Sequence, residues 1–256
     1  MTDSVFADWR SKSYPFTFHG EIVVDTLVGG VPRNPNVIKG WIESKLKDSQ
    51  QQRIRDLVAE TVATTGVTSE QAVEEISQTK HLNGFKVDPE HGLFYEGRQL
   101  KAGLKEAVSI AVSAGKLEMT KWGSTRKWLT NYFPEHVFVV EERLYLGVSE
   151  PTGVLQQFVH THNGSSIQYQ EYVTDAKLTF TIVTDHDFTD QDWAMIWTTG
   201  EMNGLGASRS QGYGTYQVTK WEKTVDEKAL AELKKRLTAK AATTRRKSEP
   251  VEEAAE

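Results

Sequence analysis

Four glycines within eleven residues constrain this chain more than any other stretch: Gly204, Gly206, Gly212 and Gly214, in the run GLGASRSQGYG. Paired glycines let a backbone take positive φ and lie against another molecule with no Cβ in the way. Successive N–H groups in such a loop can converge into an anion-binding nest. Arg209 stands at the centre between the hydroxyls of Ser208 and Ser210, one cation beside two adaptable hydrogen-bonding groups. This chemistry suits a phosphate backbone. A dinucleotide fingerprint needs a third glycine where Arg209 stands, and a Walker loop needs Gly-Lys followed by Ser or Thr, which the loop lacks. Both also require a strand before the loop and a helix after it. Here 189–202 reads as a helix with Thr189 as its N-cap, and 213–221 reads as a strand.

The 256 residues suffice for one domain with a sizeable core and insertions. There is no cysteine, which excludes disulfides and thiolate metal sites. The polar start MTDSVFADWR has no signal-peptide core, and no apolar run approaches the roughly 20 residues of a membrane span. A cytoplasmic protein without a membrane partner is expected. The net charge of −5 argues against binding nucleic acid through bulk charge. Its distribution is uneven, however, with seven Lys or Arg against three Glu over 95–130.

A first strand spans 16–25 and runs into Gly29-Gly30. A helical insertion is expected over about 31–80, with apolar stripes such as Ile54, Leu57, Val58 and Val62. A helix over 99–114 turns Leu100, Leu104, Val108 and Ala111 inward, and Lys101 and Lys105 share another face. A basic and aromatic insertion over about 115–133 sets Trp122 and Trp128 among Lys121, Arg126 and Lys127, a pattern that stacks exposed bases or packs in a core. Strands are expected over 137–161, in two pieces, and 170–184. The core order is then βαββαβ, an α+β, ferredoxin-like (RRM-like) arrangement within 1–222. A C-terminal helix over 223–242 and a disordered tail over 243–256 complete the chain.

The pattern Gly-hydrophobic-Gly-x5-Gly-hydrophobic-Gly, with Leu205 and Tyr213 in the hydrophobic slots, resembles the RAMP superfamily of CRISPR-associated RNA-binding proteins. The likeness is greatest to the backbone subunits. The resemblance implies a ferredoxin-like fold with this loop between the second helix and the last strand. It also implies that Gly29 and Gly30 form a loop after the first strand. The segment holding Arg98, Lys101 and Lys105 looks like the family's strand-turn-helix element, although Arg98 and Gln99 replace the usual serines. The partners implied are single-stranded RNA and further copies of the chain or other RAMP-type subunits.

No constellation of side chains makes catalysis the leading reading. The candidates are His19 on the first strand and the pair His160/His162, which share one face of a strand without a third metal ligand. The family's target-cleaving aspartate has no counterpart in the residues after Gly30. The expected protein holds a guide-type RNA backbone through 204–214, Arg98, Lys101 and Lys105, with no cofactor and no metal. The alternatives are an endoribonuclease using His19 or His160/His162, and an interaction protein that keeps the fold without RNA.

Overall fold

The computed structural model describes residues 13–32, 82–117, 132–161, 164–235 and 238. The elements that matter are β1 (Phe16–Val28), β2 (Val31–Pro32), β3 (Leu82–Gly84), β4 (Lys86–Asp88), β5 (Gly92–Glu96), α1 (Gly97–Ser113), β6 (Val137–Val139), β7 (Arg143–Tyr145), β8 (Gly153–Thr161), β9 (Gly164–Thr184), α2 (Asp190–Asn203) and β10 (Tyr216–Val225). The architecture is α+β. Antiparallel β1 lies between β10 and β9, in registers such as Ile22 opposite both Val218 and Leu178. β8 pairs with the first part of β9, and β6 with its last three residues. A separate small sheet holds β4, β5 and β7.

Alternation puts Phe18, Ile22 and Val24 of β1 beside Ala176, Leu178, Phe180 and Ile182 of β9 in one buried layer. Against it pack Leu100, Leu104, Val108 and Ala111 of α1 at helical spacing, with Trp193, Ile196 and Trp197 of α2. Each helix starts on a capping box: Glu96 with Gln99 for α1, and Thr189 with Asp192 for α2. Asp190 and Asp192 in the first turn of α2 also meet the positive end of its dipole. Around Trp193 the rings of Phe18, Phe133, Phe188, Trp197 and Trp221 form one aromatic cluster.

Several boundaries differ from those read in the sequence. The first strand continues to Val28, and the last begins at Tyr216, because Gly212 to Gly214 turn before it. The capping box starts α1 at Gly97 rather than 99. The segment 137–161 gives three strands rather than two, and Arg143–Tyr145 leaves for the small sheet. At the expected helical insertion, Val31 and Pro32 form a strand with β3, and 33–81 lies outside the described residues. Of the basic and aromatic insertion, Trp122 and Trp128 also lie outside them. Of the C-terminal helix, 227–235 is helical, and 239–256 is not described. Among the described residues no helix is long and apolar enough to cross a membrane.

Candidate nucleic-acid interface

All four glycines of the loop have positive φ: Gly204 77°, Gly206 85°, Gly212 89° and Gly214 81°. Ser208 is left-handed as well, at 58°. At three of the glycines, crowding adds to this requirement. A Cβ on Gly204 would sit 2.8 Å from the Gly214 carbonyl carbon, and one on Gly206 would sit 2.7 Å from Val28 O. One on Gly214 would collide with the Leu205 carbonyl, whereas one on Gly212 would meet nothing. Three glycines therefore fold the loop, and the fourth keeps its outer rim bare.

Main-chain bonds fix the loop to the end of β1. Gly214 N–H donates to Thr26 O and Ala207 N–H to Val28 O, both at 2.9 Å. Leu205 N–H donates to Gly214 O at 2.8 Å and closes the loop on itself. Leu205 is buried in the core, where its side chain fills the space that a Cβ on Gly103 would need. This accounts for the first hydrophobic slot of the motif as an anchor. Gly206 N–H donates to the Tyr95 hydroxyl at 3.3 Å. Burial pushes that phenol up to about 12. Ser208 Oγ lies 2.6 Å from Gln170 Oε1 and 3.1 Å from Gln157 Oε1. A hydroxyl has one hydrogen, so Ser208 donates to Gln170 and accepts from Gln157 in its flipped amide orientation.

The expected anion nest is thus largely closed. The N–H groups of residues 204 to 207, 211, 212 and 214 all donate within the protein. What faces outward is Ser210, Gln211 and Gly212, which are exposed. Arg209 is also not the unpaired loop cation that the sequence suggests. Its guanidinium meets Glu106 Oε2 of α1 at 2.7 Å, and this bond holds the Glu106 carboxyl below its ordinary value.

The structure brings the second glycine pair to the same place. A Cβ on Gly29 would collide with the Gly84 backbone, so the β1–β2 turn crosses β3 closely there. Gly30 faces Ala207 of the loop, 3.3 Å from a Cβ placed on it. Between this turn, the loop and α1 lies a cleft of about 280 Å³. Arg209 and Glu106 line it, as do Lys86 and Glu96, a second ion pair at 2.9 Å.

The other basic candidates lie elsewhere. Arg98 is paired with Glu96 at 2.9 Å and points to solvent. Arg98 and Lys86 together depress the Glu96 carboxyl. Lys101 does not line the cleft: its ammonium lies 4.1 Å from the Phe138 ring centre, and burial lowers its pKa. Lys105 is exposed on α1.

Among the histidines, His19 is exposed on β1 and contacts Thr181 Oγ1 at 3.4 Å. His160 stands opposite Ser165 in the β8–β9 register, and His162 lies outside the described residues. Sequence reasoning missed another group. His136 Nδ1 lies 2.6 Å from Asp185 Oδ1, the Tyr132 ring centre is 3.9 Å from the imidazole centre and tilted to it, and Tyr132 Oη is 3.2 Å from His186 Nδ1. Burial lowers the pKa of His186. About fifty residues separate the two halves of this group, and the two halves form no local motif. Among the described residues no cluster of three His, Asp or Glu could hold a metal ion.

No protein-family model matches the sequence, and no curated protein does. One similar solved structure is a chain from the type III-B Cmr-beta complex bound to cognate target RNA, with 14% identity and a TM-score of 0.44. The match covers 85% of this chain and 64% of that one, so this protein spans less than two thirds of its length. So distant a likeness bears on neither ligand nor role.

Proposed function

We propose that this chain binds single-stranded RNA without cleaving it, laying the sugar–phosphate backbone across the outer rim of 204–214 as a subunit of a CRISPR-effector-like ribonucleoprotein. The observation that carries the reading is the glycine loop. All four glycines of a Gly-hydrophobic-Gly-x5-Gly-hydrophobic-Gly run stand at positive φ, and Gly30 stands beside them. Gly212 is a glycine for its positive φ, and because nothing among the described residues lies within reach of it, it leaves the rim open to an external backbone. Ser210 supplies a hydroxyl on that rim, the Arg209 guanidinium lies beside it in its pair with Glu106, and Lys105 is the next exposed cation on α1. Phosphate contacts of this kind position RNA without reading its sequence.

The fold is consistent with the RAMP reading. With the short strands β2 to β7 set aside, β1, α1, β8, β9, α2 and β10 follow a βαββαβ order; β10, β1 and β9 are neighbours, and β8 pairs with β9 only up to Tyr172, where the β1 pairing begins. Self-association belongs to the same proposal, and exposed Val154 and Phe158 on β8 supply apolar surface for it.

Ser210→Glu tests the rim. Ser210 is exposed, so the change adds one negative charge where phosphates are expected and leaves the core alone. Fluorescence polarisation with labelled single-stranded RNA should show binding weakened about tenfold with an unchanged melting temperature. Unchanged affinity would remove the rim from the interface.

An endoribonuclease is the second reading, favoured by His136, whose ring is oriented by Asp185 beside Tyr132 and His186. Incubation with labelled RNA separates the two. Intact RNA supports the binding reading. Cleavage that His136→Ala abolishes, or that His19→Ala abolishes, would favour the enzyme.

A further inference from the structure

We propose that the cleft beside the glycine loop is a slot for one unstacked nucleobase of the bound RNA, an inference that rests on the RNA-binding reading above. Its volume of about 280 Å³ lies just below the roughly 300–1,000 Å³ of most ligand pockets. That is room for a single ring system and not for a run of nucleotides. Its lining joins small residues, Gly30 and Ala207 by the loop and Ala102 and Gly103 on the helix, to the rings of Phe94 and Tyr95. The small residues leave room for a ring, and aromatic side chains are surfaces on which bases pack.

The polar groups are arranged for a neutral occupant. Lys86 is paired with Glu96 and Arg209 with Glu106, so each cation of the lining already meets a carboxylate. Glu96 caps α1 and Glu106 lies ten residues further along it, so the two ion pairs are set apart along the helix. A phosphate entering the cleft would find its cations already paired and would face the charge of their carboxylates. A base carries no net charge, and its edge needs donors and acceptors together, which the paired groups supply. Gln99 also lines the cleft; its carbonyl accepts from Glu96 N–H at 3.1 Å, and its amide hydrogens remain for a ligand. Single-stranded RNA is commonly recognised through such splayed bases, while the phosphates outside set its path. The rim and the slot thus divide the nucleotide between them.

Ala102→Leu is the direct test. Ala102 is exposed on α1 and lines the cleft, so leucine fills the slot at a position where it is a good helix former. The probes are labelled oligo(rA) and an abasic ribose-phosphate oligomer of equal length and charge. Wild type should bind oligo(rA) about tenfold or more tighter than the abasic chain. Ala102→Leu should bring oligo(rA) down to the abasic level, leaving abasic binding and the melting temperature unchanged. If both proteins bind oligo(rA) equally, the slot is not used, while the phosphate-rim reading stands. If wild type binds neither probe, the RNA reading falls and the slot with it.

Discussion

Glu106 decides how Arg209 behaves. The two groups meet at 2.7 Å while both are partly exposed, so an approaching phosphate must compete with a carboxylate for the guanidinium and also faces that carboxylate's charge. Glu106→Gln should therefore tighten RNA binding several-fold in a polarisation titration, and Arg209→Ala should weaken it. The pair contributes at most about 1 kcal/mol to folding, the usual scale for exposed ion pairs. Because the folded Glu106 carboxyl titrates below its ordinary 4.5, this contribution is present at neutral pH. It is lost as pH falls below that value and through the folded pKa. Melting curves from pH 6 to pH 3 should fall less for Glu106→Gln than for wild type. Arg209 and Glu106 are 103 residues apart, which is why the sequence showed Arg209 as a free cation. The positive φ of the glycines, by contrast, follows from residue type and spacing, and was legible.

At the scale of elements, the loop is a closed turn with one bare edge, and its glycines should not respond alike to substitution. Gly212→Ala adds only the strain of a side chain at positive φ, about 1 kcal/mol. Gly214→Ala adds a collision with the Leu205 carbonyl, and Gly206→Val adds contacts with Val28 O and Leu27. Both should cost roughly 2–4 kcal/mol in urea unfolding, the range of strained backbone combined with steric overlap. If all three variants unfold alike, the loop does not close as described. Thr189 as an N-cap and the inward face of α1 were legible because both are local signals. The departure of Arg143–Tyr145 to a second sheet was not, since a two-residue period does not say which sheet a strand joins. Nor was the tie of the Ala207 and Gly214 N–H groups to β1 legible, because their acceptors at Val28 and Thr26 lie about 180 residues upstream.

For the whole molecule, stability and RNA binding should be separable, because the core and the rim share few side chains. Trp193 is buried within the aromatic cluster and contributes no side chain to the loop's rim. Trp193→Ala should lower stability by about 3–5 kcal/mol, read by urea unfolding, through the cavity it leaves. A net charge of −5 gives the molecule no general attraction for RNA, so the proposed binding rests on local cation and hydroxyl contacts to phosphate. The central measurement is therefore wild-type affinity for single-stranded RNA as salt rises from about 50 to 200 mM. The account predicts that log K falls linearly with log salt, that base sequence matters little to this slope, and that Arg209→Ala makes the slope shallower by about 0.7, one phosphate contact. Affinity that stays flat across the series, or a slope unchanged by Arg209→Ala, would contradict it.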